Sequence, residues 1–548
     1  MVSPTTTSKS PTKGAAPVVS PKITQKMSAF SQIDSSSEAS NSTLTDSELK
    51  MACWNLKKSF HFTRGENEYS SPRAPLTSLG DPSFCRDHGL KFPYVAGAMA
   101  NGIASEELVI AMAKAGMLGI FGAAGLDVSR VEAAMTRLSA ELPGLTFGSN
   151  LIHSPNEPHT EEAIVDLYLR HGVRLVEASA FMGLTSSVVR YRVTGIYRTE
   201  SGEIVAPNRI IAKISRMEVA SKFMAPPPEV MLLDLVKRGV ISSEQAEWAS
   251  QIPMAQDITA EADSGGHTDN RPAITLLPLM LALKDRLSEQ YGYDVPLRVG
   301  AAGGIATPLA AAGAFAMGAA FIVTGTINQA CLEAGTSDTV RTMLAEAGQA
   351  DIAMAPAADM FEMGVKVQVL KRGTMFAMRA QKLYDLYVKH SSWEEIPAAE
   401  RDAVEKNFLK QSFNDAWIST KSFFATRDPK QNTRAEGDAK HKMALVFRSY
   451  LGQSSRWANA GDPTRKVDYQ VWCGPAMGAF NEWAKGSFLE AAKERRAVPV
   501  AMNLLYGAAV CLRVQTLRHQ GLSVPSSWQN WRPLSESEIR SMIERNPS

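Results

Sequence analysis

The most informative stretch of this 548-residue chain is Asp257–Asn270, which reads DITAEADSGGHTDN. An apolar run ends in two acidic residues, Glu261 and Asp263, and two glycines, Gly265 and Gly266, then lead to His267. Imidazole is the side chain best suited to giving or taking a proton near neutral pH. Glycines beside it let backbone approach a flat or anionic ligand closely. An ordinary turn histidine would have the same surroundings, so this segment alone does not decide. Two later segments weigh toward a ligand. Leu297–Ile305 runs into Gly303-Gly304 ahead of a helix start at Thr307-Pro308, and Phe321–Thr326 runs into Gly325-Thr326. Glycine N–H groups at consecutive strand ends, with a helix N-terminus behind them, suit a phosphate. Earlier strand ends are small or polar: Ala98-Met99-Ala100-Asn101-Gly102, then Gly148-Ser149-Asn150, then Lys213. Small residues leave room for a planar cofactor, Asn150 would hydrogen-bond its heteroatoms, and Lys213 would hold negative charge on it. Packing, a turn and a buried ion pair are the competing roles of Met99, Asn150 and Lys213. The glycines of Gly119-x-x-Gly122-x-x-Gly125 do not have the dinucleotide spacing.

These residues need a scaffold that brings strand ends together. From residue 90 onward, short apolar runs alternate with helical patterns, the mark of βα units and a parallel sheet. The eight runs are Pro93–Ala98, Leu118–Phe121, Leu145–Ser149, Arg174–Ala178, Arg209–Ile214, Asp257–Ala262, Leu297–Ala302 and Ala320–Gly325. Helices are predicted over Ser105–Ala115 and Pro308–Ala316. Eight such units suit a (β/α)8 TIM barrel of class α/β, with active-site residues at the strand C-termini. A doubly wound sheet is the rival architecture. A polar hairpin is expected over 189–208, turning at Glu200-Ser201-Gly202, and a helical insertion over about 216–253.

The expected divisions are a disordered Ser/Thr-rich tail over 1–50, a lead-in over 51–90, the barrel over 91–340, and a mainly helical C-terminal region over 341–548. A helix start at Thr45-Asp46 falls inside the tail. Past residue 340 the β-runs are expected to stop, with a long helix over 364–390 carrying Lys366, Lys371, Arg372, Arg379 and Lys382 on a basic or merely solvated face. Seven of nine tryptophans follow residue 390 (Trp393, Trp417, Trp457, Trp472, Trp483, Trp528, Trp531) and are read as packing residues.

Charge and cysteine content remove several classes. Lys plus Arg is 58 and Asp plus Glu is 56, a net charge of +2, which argues against an electrostatic nucleic-acid binder. The five cysteines are scattered without a CxxC, so neither a disulfide framework nor a zinc site, nor any other metal centre, is expected, consistent with a reducing cytoplasm. No signal-peptide pattern and no uninterrupted apolar span suggest a membrane partner.

The segments AEADSGGH and VGAAGGIATPLAAAGAFAMGAAFIVTGT resemble those of the FMN-dependent nitronate monooxygenase and enoyl reductase superfamily. FPYVAGAMANGIAS, FGSNLIHSPNEP and MFEMGVKVQVLKRGTMFAMRAQKLYDLY are similar to segments of the trans-acting enoyl reductases of polyunsaturated fatty acid and polyketide synthases. The resemblance implies FMN at the C-terminal rim of the barrel. Gly303, Gly304, Gly325 and Thr326 would hold its phosphate. Ala98, Met99, Asn150, Lys213, Gly265 and Gly266 would surround the rest, and His267 would be catalytic. Two departures are visible. Gly97-Ala98-Met99 stands where Ala-Pro-Met is common, and Asp263-Ser264 stands where Glu-Ala is usual, the latter leaning toward an enoyl reductase.

The implied reaction is reduction of 2-enoyl thioesters on an acyl carrier protein, with NADPH or NADH as hydride donor. His267 would be donor or proton source, with His153 the second candidate. The implied partners are carrier-protein domains of a multienzyme synthase and, by analogy, a second copy in a homodimer. A nitronate monooxygenase-type oxidase and a non-catalytic scaffold subunit are the alternatives.

Overall fold

A computed structural model describes residues 44–155, 158–266 and 269–544. Eight parallel strands close into a barrel: β1 (Tyr94–Ala96), β2 (Leu118–Phe121), β3 (Gly148–Ile152), β4 (Leu175–Ser179), β5 (Arg209–Ile214), β6 (Asp257–Glu261), β7 (Arg298–Ala302) and β8 (Ile322–Thr324). β8 pairs with β1, Ile322 beside Tyr94, so the sheet has no edge and a doubly wound arrangement is excluded. All eight predicted runs are strands. The third begins three residues late, because Leu145 closes the preceding turn through its N–H to Leu142 O and stays 44% exposed. Local chemistry explains the readable helices. Ser105 caps Glu106–Lys114 by accepting from Leu108 N, and Thr307 caps Pro308–Ala316 by accepting from Ala310 N.

The excursion between β5 and β6 is three helices, Met217–Met224, Glu229–Lys237 and Ser243–Ala249. The expected hairpin over 189–208 is shorter than predicted. The helix Ser186–Val193 occupies its first arm, and only Tyr197–Arg198 pairs with Ile204–Val205.

Past the barrel the chain is mainly helical, with one departure. Residues 364–390 are not a single helix. Lys366–Leu370 pairs antiparallel with Ile352–Pro356, and the helix Phe376–Lys389 begins only after Gly373, whose φ of +73° turns the chain. The alternating valines of KVQVL bury Val367 and Val369, a strand pattern. The five basic residues therefore share no face, and three are ion-paired: Arg379 with Asp468, Lys382 with Glu400, and Arg372 with Glu346 and Asp351.

The helix Ala497–His519 is long and apolar enough to cross a membrane, yet 89% of its apolar window is buried inside the protein. It lies on Pro308–Ala316, and a Cβ at Gly507 would stand 2.7 Å from Pro308. Its Arg513 donates to Asn55 O, Lys58 O and Ser71, tying down the lead-in segment. That segment opens with the helix Asp46–Trp54, capped by Thr45, inside the stretch expected to be a tail; residues 1–43 lie outside the described residues.

The floor of the barrel is an ion cluster. Asp257 and Arg298 start β6 and β7 in register. Arg298 Nε donates to Asp257 Oδ1 at 2.6 Å, its Nη1 donates to Asp87 at 2.6 Å, and His88 Nε2 lies 2.8 Å from Asp257 Oδ2. Arg298, Asp257 and His88 are all buried. Burial pushes the Asp257 carboxyl up, but His88 and Arg298 outweigh it and hold the pKa at about 2. A folded-state value below the ordinary 3.8 means that Asp257 stabilises the fold above about pH 4 and loses that contribution as pH falls through about 2. Asp257→Asn leaves Arg298 short of a buried partner and is expected to cost about 3–5 kcal/mol at pH 7. Urea unfolding of both proteins should show that gap, and it should narrow between about pH 4 and pH 2.

Candidate active site

At the C-terminal ends of the strands lies a cavity of about 680 Å³, within the usual range for a small-molecule site. It brings together every predicted cofactor residue: Ala98 and Met99 after β1, Asn150 on β3, Lys213 on β5, Gly265 and Gly266 after β6, Gly303 and Gly304 after β7, and Gly325 and Thr326 after β8. His267 lies outside the described residues, one position past Gly266.

The cavity wall carries charge inside the barrel. Lys213 Nζ sits 3.5 Å from Glu177 Oε2 on β4 and 3.6 Å from Glu261 Oε1 on β6. Burial works against the ammonium, but the two carboxylates override it and raise the Lys213 pKa above its ordinary value. Lys213 is thus both an ion-pair partner and a fixed cation at the cavity. Glu177 also accepts from Ala98 N at 3.2 Å, while its Oε1 is buried without a partner among the described residues. Glu177 was not among the residues expected from sequence, although a lone carboxylate inside the apolar run Leu175–Ser179 was the available signal. Asn150 spends both amide hydrogens on Glu177 O and Ser179 Oγ, each at 3.0 Å. What it can offer the cavity is therefore an acceptor, Oδ1. His153 also lines the cavity, stacked on Phe181 with Nδ1 3.0 Å from Glu161 Oε2.

The loop after β6 is held from three directions. Asp263 N donates to Arg271 O at 2.9 Å and closes its base. Arg216, beyond β5, grips Asp269 with two hydrogen bonds of 2.7 and 2.8 Å, and the arginine draws the carboxyl pKa down. Gln368, on the strand Lys366–Leu370, donates to both Asp263 Oδ1 and Asn270 Oδ1. The strand that sequence patterns did not predict is thus the one that clamps the loop bearing His267. The C-terminal region also supplies cavity wall: Trp457 and Trp472, read from sequence as packing residues, line it together with Phe423, Arg427, Arg448 and Arg456.

The site fits a flavin phosphate and ring on its own features. Gly303, at φ +87°, has no room for a side chain, since a Cβ would meet Ala262 C at 2.7 Å. Gly265 lies backbone to backbone with Gly474, whose own Cβ would come within 2.8 Å of Gly265 N. The first-strand wall includes Gly97 and Ala98, which project only one methyl between them. Among the described residues, Ser264 Oγ and Glu177 Oε1 are buried polar atoms without partners, and both residues belong to the loop or strand that forms this wall. Gln368→Leu removes two bonds to the loop while leaving the barrel intact. Hydrogen exchange of amides across 263–271 is expected to rise about tenfold or more, with little change in the global unfolding midpoint. Unchanged exchange would remove Gln368 as the clamp.

Two family models match the chain: nitronate monooxygenase over residues 85–385, and the inserted helical domain of [acyl-carrier-protein] S-malonyltransferase over residues 390–469. One of the polyunsaturated fatty acid synthase subunits of Thraustochytrium sp. is 49% identical over 471 residues, covering 85% of this chain and 31% of that protein. Polyketide biosynthesis protein PksE of Bacillus subtilis is 46% identical over 443 residues, covering 80% of this chain and 57% of that protein. The chain thus spans between about a third and somewhat over half of these relatives' lengths. The enoyl reductase domain of MlnA from Bacillus amyloliquefaciens, a crystal structure, superposes with a TM-score of 0.77 at 40% identity, covering 82% of this chain and all of that one. With more than half of its length matched by the family model and a barrel of the expected architecture, the chain belongs to the nitronate monooxygenase family.

Proposed function

We propose that the protein is an FMN-dependent enoyl reductase that reduces 2-enoyl thioesters carried on acyl carrier protein domains of a polyunsaturated fatty acid or polyketide synthase. The observation that carries this reading is the convergence of ten expected cofactor residues on one cavity whose other wall is the helical region. Support for the substrate comes from the MlnA enoyl reductase domain and from the helical segment's likeness to a domain of a carrier-protein transferase. Flavin mononucleotide supplies two-electron hydride transfer from NADPH or NADH to an activated double bond.

The chain's own residues have separable tasks. The backbone N–H groups around Gly303, Gly304, Gly325 and Thr326 hold the phosphate. Asn150 Oδ1, whose amide hydrogens are already used, would offer the ring an acceptor, and Lys213 would balance negative charge there. Reduction of an enoyl thioester builds charge on the thioester oxygen, and a donor fixed at that oxygen lowers the barrier. His267 takes that role, or protonates the α-carbon, with its loop held by Arg216 and Gln368. His153, oriented by Glu161, is the second candidate proton donor.

The visible spectrum of the purified protein tests the cofactor first. Flavin bands that bleach on anaerobic addition of NADPH are expected; a protein that takes up no FMN refutes the reading and favours a scaffold. His267→Ala should keep the flavin and lose about 10²–10³ in turnover of an enoyl thioester. A wild-type rate in that variant would remove His267 from the chemistry. Rapid oxidation of alkyl nitronates without reduction of any enoyl thioester would point to the oxidase alternative.

A further inference from the structure

Glycine in the middle of a helix destabilises it relative to alanine, so its presence there calls for a cause. Gly452 stands inside the helix Ala439–Ala460, more than a turn from either end. Two causes are common: a left-handed φ, or a neighbour too close for a Cβ. Neither applies. Gly452 has ordinary helical backbone, and a Cβ built on it would meet, among the described residues, nothing within 4 Å beyond its own helix. Gly507 in the helix Ala497–His519 shows the contrast, with Pro308 only 2.7 Å from its would-be Cβ. Gly452 lines the cavity, so the space that it leaves open is cavity space.

The surroundings of that opening are apolar. Arg448 and Arg456, one turn to either side, mark them: Arg448 donates to Ala358 O at 2.9 Å, and Arg456 stands 5.7 Å from the Phe423 ring centroid. The strand pair Ile352–Pro356 and Lys366–Leu370 shares a core with this helix. From that pair and the turn between its strands come Ala357, Met360 and Val367, all buried and all on the cavity wall, with Trp472 beside them. The adjacent polar side chains are already bonded. Gln453 donates to Ser449 Oγ at 3.0 Å, and Arg448 also lies 3.7 Å from Glu362. An amide-bearing or phosphorylated group placed here would lose water without gaining partners, whereas a hydrocarbon chain would not.

We propose that Gly452 lacks a side chain because the acyl chain of the thioester substrate crosses the helix there, between Ala439–Ala460 and the strand pair, and that this position sets the chain length the site accepts. This rests on the thioester substrate proposed above and adds where its hydrocarbon tail lies. A side chain at position 452 occupies the path of a long tail and leaves a short one untouched.

Isothermal titration of the full chain with S-dodecanoyl-pantetheine and with S-butanoyl-pantetheine reads the tail's contribution and requires no turnover. The two ligands share one arm, so their affinity ratio isolates the chain. The longer thioester should bind the wild type about tenfold or more tighter. Gly452→Leu should bring that ratio close to one while leaving butanoyl affinity within about twofold. Gly452→Ala should lower the ratio about threefold, as one methyl in the path of the chain would. Alanine is the better helix former, so this variant should melt no lower than the wild type and keeps the test decisive if the leucine variant fails to fold. Equal affinities in the wild type, or an unchanged ratio in Gly452→Ala, overturn the proposal. An equal loss of both ligands in Gly452→Leu also overturns it, because the shared arm would then be what passes Gly452. A chain preference that Gly452→Leu removes, in a protein that reduces no enoyl thioester, bears out the tail's path and overturns the reductase reading instead.

Discussion

The site depends on a lysine that remains charged inside the barrel. An ammonium at that depth is tolerated only because β4 and β6, the strands on either side of β5, each bring a carboxylate to it. That requirement fixes Glu177 and Glu261 at their positions and fixes the register of three adjacent strands. It also explains why the neighbouring walls are glycine and alanine. With the centre occupied by long charged side chains, the remaining space for a planar ligand must come from residues with almost no side chain. At the opposite end the barrel uses the same device, a cation between acids, to close its floor around Arg298. The two clusters differ in consequence. The floor is packed under Phe84, stacked on Phe321 at 4.1 Å, whereas the upper cluster opens onto a cavity.

Sequence patterns expose features whose causes are local. The helix Pro308–Ala316 is readable because Thr307 caps it and Pro308 occupies its first turn. The strands are readable because short apolar runs end in or close to glycine, serine or asparagine. The cavity residues could be identified for a related reason: in a barrel, each of them lies in the C-terminal part of a strand or in the loop that follows it. Hidden from sequence was whatever depends on distant contacts. The strand Lys366–Leu370 sits in a segment whose basic and apolar residues mix without a clean helical period, and its role appears only when Gln368 meets the loop after β6. Trp457 lies on a helix like any packing tryptophan; its position on the cavity is set by how that helix crosses the barrel mouth.

The barrel and the helical region therefore divide the work by distance from the reacting centre. The residues proposed to meet a ring and its phosphate come from strand ends, where backbone is fixed by eight-fold pairing. Residues that decide what can enter come from the helices, whose spacing can vary without disturbing the sheet. Gln368 and Arg216 sit between these two sets, joining the β6 loop to the helical region on one side and to the β5 rim on the other.

The backbone contact between Gly265 and Gly474 sets a limit on how this protein can be divided. A side chain at Gly474 would collide with the backbone of Gly265 and one at Gly265 would press on the backbone of Cys473 and Gly474, and one glycine belongs to the barrel while the other lies about 200 positions later in the chain. A barrel cut out near residue 340 would expose that bare backbone to water and leave the cavity as an open dish. The relative about three times as long is similar to this chain over 471 residues, more than the barrel alone supplies, so the likeness takes in the barrel together with its helical cover.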